Sequence, residues 1–271
     1  GTGGYVCGPI LMAAALRNIP TLIQEQNVIA GITNKILSRF VDVVAMGYKD
    51  AESSFSKAKR VVYTGNPVRP DVLVDTRADG RNYFNLSDDT FTVLIAGGSR
   101  GARTINNAMI DVHKHFQGTK GIKLIHITGD GEYKSVLSQL GITNGDGLGD
   151  SSLILPYLHD MPKALAAADL AVFRSGAIGL AELAVRGIPS VLVPYPYAAE
   201  DHQTYNARIF VQEGAAHMIV DQMLSAHDLI GEIEMFMANR DLLSQMGERA
   251  LQLGKPNAAH DIAKLALSIA K

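Results

Sequence analysis

Apolar positions along the chain fall into two kinds of segment that take turns. Short runs rich in Val, Ile and Leu occupy 21–24, 43–47, 61–64, 92–96, 123–128, 152–156, 170–173, 190–194 and 217–220. Their near-continuous apolar character predicts strands covered on both faces, as in a parallel sheet. Between them, apolar residues recur at helical spacing over 8–17, 31–39, 102–116, 159–168, 177–187, 201–213 and from 227 onward. Strand and helix in strict alternation predict βαβ units, and so an α/β chain with parallel sheets.

The alternation is interrupted once. GNPVRPDVL, residues 65–73, carries two prolines and a Gly-Asn, and the polar stretch TRADGRNYFNLSDD follows. From 92 the pattern restarts and runs to about 220, enough for a complete doubly wound domain. Residues 1–72 are therefore expected to be the remnant of a first domain, and 73–255 a second. Gly254-Lys255-Pro256 breaks the helical tail, so 256–271 is expected to form a helix that crosses back to the first. The chain opens on GTGGYVCGPILMAAALRNIP, a glycine-rich loop running into an apolar helix with no strand before it. Such loops normally follow a strand, so the sequence is expected to begin inside a βα unit.

Composition narrows the class. With 271 residues, 47% apolar and 19% charged, the chain can bury a substantial core and is neither disordered nor a coiled coil. A net charge of −2 argues against a general nucleic-acid binder. The single Cys7 excludes an intrachain disulfide and fits a reducing compartment. No apolar run reaches the 18 or so residues of a membrane-spanning helix. The glycines gather at strand-to-helix joins, at Gly3, Gly4, Gly31, Gly97, Gly98, Gly101 and Gly176, where a backbone must come close to another backbone or to a ligand.

Four of these joins are candidate sites. LIAGGSRGARTINNAM, residues 94–109, reads as strand, glycine turn and helix, a form suited to holding a phosphate on backbone N–H groups and a helix dipole. The same letters satisfy G-x-S-x-G, which leaves Ser99 open as a hydrolase nucleophile with His217 or His227 as partner; a merely structural turn is the third alternative. In AVFRSGAIGLAELAVRGIPSVLVP, residues 171–194, Glu182 is either the polar edge of an amphipathic helix or a carboxylate at a pocket mouth. An acceptor-only group of this kind suits a pair of ribose hydroxyls. PYPYAAEDHQTYNAR, 194–208, offers either a solvated helix start or amides that read a sugar, and QEQNVIAGITNK, 24–35, puts Glu25, Gln26 and Asn27 at a strand end. A Walker A sequence, H-E-x-x-H, paired C-x-x-C and D-x-D are all missing. No metal site is therefore expected, and a diphosphate would be met by backbone dipoles and by Arg69, Arg100 or Arg174.

Taken in order and at their spacing, GTGGYVCGP, EQNVIAGITNK, GNPVR, IAGGSRGA, RSGAIGLAE and DHQTYNA resemble the MurG family, the UDP-N-acetylglucosamine:lipid I N-acetylglucosaminyltransferases of bacterial peptidoglycan synthesis. The resemblance implies a GT-B fold of two Rossmann-like, doubly wound parallel-sheet domains, the first truncated here. It implies inverting transfer of GlcNAc from UDP-GlcNAc to undecaprenyl-pyrophosphoryl-MurNAc-pentapeptide without a cofactor, in peripheral contact with the cytoplasmic face of the inner membrane and without nucleic acid. By position it places Asn27 beside the sugar or acceptor, Arg69 at the interdomain hinge near the nucleotide, and Ser99 in the phosphate loop. The backbone of Leu158, with Met161, is implied to read uracil. Ala177 and Ile178 flank the nucleotide, Glu182 takes the ribose hydroxyls, and Gln203 the GlcNAc hydroxyls. Gly3, Gly4 and Tyr5 are implied to face the acceptor diphosphate. The chain departs from the family at Gln24 (usually His), Arg100 (Gln), Gly179 (often Thr) and His202 (Gln in some members). The family's favoured base lies in a preceding segment, so no catalytic residue is assigned, and a donor-binding unit without activity of its own is the alternative function.

Overall fold

A computed structural model describes residues 1–98 and 101–270. It contains two parallel sheets flanked by helices. The first part runs α1 (Cys7–Leu16), β1 (Leu22–Glu25), α2 (Ile32–Leu37), β2 (Val43–Met46), a 3-10 turn (Lys49–Phe55) and β3 (Val61–Tyr63). The connector then carries α3 (Pro70–Val74) and α4 (Arg77–Tyr83). The second part begins with β4 (Phe91–Ala96), α5 (Arg103–Phe116), β5 (Ile122–Ile127), α6 (Asp130–Leu140) and β6 (Ser152–Leu155). It continues through α7 (Met161–Ala167), β7 (Leu170–Phe173), α8 (Ala177–Arg186), β8 (Ser190–Leu192), α9 (His202–Gln212) and β9 (Ala216–Met218). Helices α10 (Ala226–Ala238), α11 (Arg240–Leu253) and α12 (Ala258–Ile269) complete the chain. No helix among the described residues is long and apolar enough to cross a membrane.

The small sheet has the order β1-β2-β3 and the large one β6-β5-β4-β7-β8-β9. Every residue of β4 is buried. Its odd positions, Phe91, Val93 and Ile95, pack with Ile105, Met109 and Phe116 of α5 and with Ile233 and Phe236 of α10. Its even positions, Leu94 and Ala96, pack against Leu165 of α7, Leu180 and Leu183 of α8 and Phe210 of α9. Period-2 alternation thus feeds two cores, one on each face, which is why the run reads as continuously apolar.

Helix α12 lies on the small sheet, with Ile262, Leu265 and Ile269 against Leu22, Val43, Ala45 and Val62. On the other face, Cys7, Leu11 and Met12 of α1 touch a cluster around Ile23 and Phe55, yet no residue of α1 is buried. Gly1 extends the sheet beside β1, donating to the Leu22 carbonyl and accepting from the Gln24 N–H at 2.8 Å each.

Three helices, α3, α4 and α6, lie outside the segments expected to be helical. The polar stretch after residue 73 is not an open linker, because Thr76 and Asp79 close a capping box that starts α4. Gly80 then lets α4 approach α7, since a Cβ there would sit 2.5 Å from the Lys163 carbonyl. Helix α6 carries no clear apolar stripe in the sequence, because its face is largely polar and only Val136 and Leu137 are buried.

Candidate functional site

The large sheet fixes where a ligand can enter. From β4 the chain winds outward through β5 and β6, and from β7 it winds the other way through β8 and β9. The connections therefore part between β4 and β7 and leave a crevice beyond their carboxyl ends. Register pairs Ala96 with Phe173, so the described residues that follow, 97–98 and 101–102 on one side and 174–176 on the other, belong to neighbouring turns. In the first turn Gly98 and Gly101 have φ of +87° and +73°. A Cβ on Gly101 would lie 2.0 Å from the Thr128 carbonyl oxygen, and one on Gly97 would lie 2.4 Å from the Ala102 nitrogen. Only glycine fits either place. Ser99 and Arg100 lie outside the described residues.

Helices α5 and α8 start from this turn pair at Ala102 and Gly176, neither of which supplies a side-chain cap. Among the described residues, α4, α10 and α11 are capped by Thr76, Ser225 and Asn239, and the other helices share the uncapped start of α5 and α8. Among the described residues, no N-cap side chain takes up the first-turn N–H groups of α5 and α8, which lie at the positive end of each helix dipole beside the crevice.

Around the α8 end of the crevice the predicted nucleotide residues come together. Ala177 is buried in the core cluster with Phe173, against which Leu158 of the β6–α7 loop and Met161 at the start of α7 pack. Ile178, beside them, is 42% exposed. A Cβ on Gly179 would meet only the Phe173 ring at 3.7 Å, so the backbone there does not require glycine. Glu182 is 7% exposed, and its Oε1 accepts from Nε of Arg69 at 3.0 Å, with Nη2 of the same guanidinium 3.0 Å away as an ion pair. The pair joins the interdomain connector to α8, and Oε2 has no hydrogen bond to any described residue.

Arg174 does not face a diphosphate. Its guanidinium donates to the carbonyls of Val193 and Pro194 and to the Asp221 carboxylate, and Asp221 in turn accepts from Thr104 of α5 at 3.0 Å. It braces the two turns from behind. Arg69, committed to Glu182, likewise leaves backbone N–H groups as the principal positive feature of the described crevice.

The opposite wall comes from the first part of the chain. Glu25 is not at the ligand edge but beneath it: its carboxylate accepts from the N–H groups of Asn27 and Gly31 and from Nδ2 of Asn34, at 2.8–3.0 Å. These bonds shape the loop that carries Asn27. Gln24, where the family has His, is buried and donates to Asn66 at 2.8 Å. Gly3, Gly4 and Tyr5 share with Asn27, Asn34, Glu200 and His202 a cleft of about 380 Å³ between the two parts of the chain. The buried Oδ1 of Asn34, on this wall, has no hydrogen-bond partner among the described residues. Gln203, in the first turn of α9, lies beside the turn before α8, its backbone carbonyl accepting from Ser175 Oγ at 2.8 Å. Its Oε1 accepts from the Tyr195 N–H, which leaves its amide N–H₂ to donate.

Asn206, one of several polar residues in the 194–208 motif, locks the two walls. Fully buried, it accepts from the Val28 N–H and donates to Asn27 Oδ1 and to the Ser175 carbonyl, at 3.0–3.2 Å. Asn206→Ala is expected to leave the Val28 N–H without a buried acceptor and to cost about 1–3 kcal/mol. A urea titration reads this as a lower midpoint with unchanged slope; an unchanged midpoint removes the locking role.

The Ser99 hydrolase alternative finds no support. His217 on β9 is held by Glu232 of α10 at 2.8 Å, a bond that raises its pKa, and His227 lies in the first turn of α10.

Residues 92–265 match the model of the glycosyltransferase family 28 C-terminal domain, and residues 1–46 match that of the family 28 N-terminal domain. The chain belongs to glycosyltransferase family 28. Among its family 28 relatives is the UDP-N-acetylglucosamine--N-acetylmuramyl-(pentapeptide) pyrophosphoryl-undecaprenol N-acetylglucosamine transferase of Desulforamulus reducens, 45% identical over 97% of this chain and 71% of the relative. The transferase of the same name from Caldanaerobacter subterraneus subsp. tengcongensis is 43% identical over 99% of this chain and 73% of its own length. The crystal structure of Acinetobacter baumannii MurG superposes with a TM-score of 0.77 at 32% identity, covering 99% of this chain and 73% of that one. The family assignment agrees with the GT-B architecture of two parallel-sheet units around one crevice.

Proposed function

We propose that this chain carries the donor-binding and part of the acceptor-binding machinery of an inverting, metal-independent transferase. The reaction moves GlcNAc from UDP-GlcNAc to the C4 hydroxyl of the lipid I muramoyl sugar and yields lipid II. The observation that carries this reading is the 45% identity, along nearly the whole chain, to a relative whose name states that activity. The crevice chemistry agrees. As the muramoyl C4 oxygen bonds to C1 of GlcNAc, the C1–O bond to the β-phosphate breaks and UDP leaves with the electron pair. Uncapped N-termini of α5 and α8 would stabilise the growing phosphate charge.

Within this reading, residues 73–255 hold the donor, 1–72 face the acceptor, and 256–271 tie the two. Leu158 and Met161 border uracil, Ala177 and Ile178 flank the nucleotide, and Glu182 takes the ribose hydroxyls through its free Oε2. Arg69 orients that carboxylate. Gln203 donates to a GlcNAc hydroxyl, Asn27 stands beside the sugar, Ser99 belongs to the phosphate turn, and Gly3, Gly4 and Tyr5 border the acceptor diphosphate. The donor is a substrate, and no resident cofactor is required. A lipid-linked acceptor places the work at the cytoplasmic face of the inner membrane, by peripheral contact.

Two measurements test the proposal together. Calorimetry should show UDP-GlcNAc binding, and a transfer assay with a soluble lipid I analogue should release UDP and give the disaccharide. Binding without turnover would favour the donor-binding unit alone. Absence of binding would overturn the donor site.

A further inference from the structure

Deep in the large domain lies a run of polar side chains that the glycosyl transfer does not use. Ser152 on β6, His113 on α5, His126 on β5, Asn106 on α5 and Thr128 after β5 are all 0–1% exposed. They form one continuous chain of hydrogen bonds: Ser152 Oγ to His113 Nδ1 at 2.8 Å, His113 Nε2 to His126 Nδ1 at 3.1 Å, and His126 Nε2 to Asn106 Oδ1 at 3.0 Å. Asn106 Nδ2 then donates to the Thr128 carbonyl at 2.9 Å.

The direction of every proton follows from that last bond. Because Asn106 Nδ2 faces a carbonyl, its Oδ1 is the atom facing His126, and His126 Nε2 must carry hydrogen. His126 Nδ1 is then an acceptor, so His113 Nε2 carries hydrogen and His113 Nδ1 accepts from the Ser152 hydroxyl. Both rings are neutral in this arrangement, and burial favours that state by pushing their pKa values down. None of these side-chain atoms is among the buried polar groups without a partner.

The run ends at the turn that faces the crevice. The Thr128 carbonyl that receives Asn106 is the same atom that a Cβ on Gly101 would strike at 2.0 Å. Asn106 is fixed to the turn from the other side as well, its own N–H donating to the Ala102 carbonyl at 2.8 Å. The end of β5, the first turn of α5 and Gly101 therefore meet at one point. Apolar contacts of Ile105 and Met109 press α5 onto the sheet without fixing its axial position, because hydrophobic packing is not directional. The Asn106 bond is directional. Its amide keeps the productive orientation only while His126 offers a donor to Oδ1, since rotation by half a turn would set N–H₂ against N–H.

We propose that this buried relay positions the diphosphate-facing turn, with His126 as a positioning residue that acts through Asn106. The inference rests on the donor site proposed above. Loosening the relay should shift Gly101, Ala102 and the open N–H groups of α5 while leaving the border of uracil and ribose, on the β6–α7 loop and α8, in place. Phosphate recognition should then fail selectively.

The test compares UDP with uridine, which lacks the diphosphate, by ligand-observed NMR titration of wild type, His126→Leu, His126→Gln and Asn106→Ala. His126→Leu and Asn106→Ala are expected to weaken UDP by about tenfold and uridine by less than about twofold. In His126→Gln an amide can still donate to Asn106, and UDP affinity should return to within about threefold of wild type. A merely structural role would reduce the competent fraction and weaken both ligands in proportion, which overturns the relay. Wild-type preference for UDP that survives in the variants overturns the relay alone. Wild type binding UDP no more tightly than uridine overturns the donor site, and the relay with it.

Discussion

Glu182→Ala should weaken UDP-GlcNAc binding by about ten- to a hundredfold, the loss expected when charge-assisted hydrogen bonds worth about 1.5–3 kcal/mol are removed. The geometry explains why the cost should appear in binding more than in stability. Arg69 donates from Nε to Oε1 and brings Nη2 within 3.0 Å of the same oxygen, so the carboxylate is held in one orientation with its second oxygen available. With the carboxylate gone, the Arg69 side chain, 49% exposed, can turn to water without leaving a buried unpaired charge. Arg69→Ala has a different expected signature. It leaves Glu182 buried without its partner, so it should lower stability as well as affinity. Isothermal calorimetry with UDP-GlcNAc, paired with thermal unfolding of each variant, separates the two. Affinity within about twofold of wild type in a folded Glu182→Ala protein would falsify the ribose assignment.

Stability should fall steeply in mild acid. His113 is neutral in the folded protein with a pKa pushed down to about 4 by burial, against 6.5 for an ordinary histidine. Between those values the unfolded chain takes up a proton that the folded chain refuses, so each unit of decreasing pH favours unfolding by up to about 1.4 kcal/mol. The contribution is fully retained above pH 6.5, and roughly 3 kcal/mol is lost on the way down to pH 4. His126, shifted the same way by burial and by its neighbour His113, adds to the loss. Protonation of His126 at Nδ1 also sets hydrogen against His113 Nε2–H, whereas a protonated His113 can donate to the Ser152 oxygen once that hydroxyl rotates. His217, raised by Glu232, works in the opposite direction: its contribution is present at low pH and fades as pH rises through its folded pKa. Urea unfolding at pH 7.5, 6.5, 5.5 and 4.5 should therefore show a falling midpoint below pH 6.5. Replacing both ring residues, as in His113→Leu with His126→Leu, should flatten that fall; the same slope in the double variant assigns the acid sensitivity elsewhere.

Much of the architecture follows from local pattern. The strands of the described residues fall within a residue or two of the apolar runs; β2, β4, β7 and β8, buried along their whole length, leave the clearest ones, while β3, β6 and β9 are only partly covered. The glycine turns were legible for a related reason: Gly97 and Gly101 stand where any Cβ would strike Ala102 or Thr128. Helices with little apolar burial were harder. α6 presents mostly polar residues, and α4 is marked only by the Thr76–Asp79 capping box, a signal present in the letters but weaker than periodicity.

The site divides along the same line. Composition and motif order determined the fold class, the two glycine turns, the placement of Glu182 on a helix beside one of them, and the resemblance to a transferase family. The tertiary structure alone decided which charges are free. Arg174 reads as a phosphate ligand from its place after a strand, yet Asp221, 47 residues later, turns it away from the crevice. Glu25 looks like an edge residue and is instead the buried anchor of the Asn27 loop. Arg69 and Glu182 meet across 113 residues, Asn206 reaches Asn27 and Val28 across nearly 180, and five polar residues from two strands, the turn after β5 and one helix join into one relay. Sequence records local propensity and burial, which are properties of a segment. The direction of a hydrogen bond between distant segments depends on how sheets twist and stack, and only the folded chain contains that information.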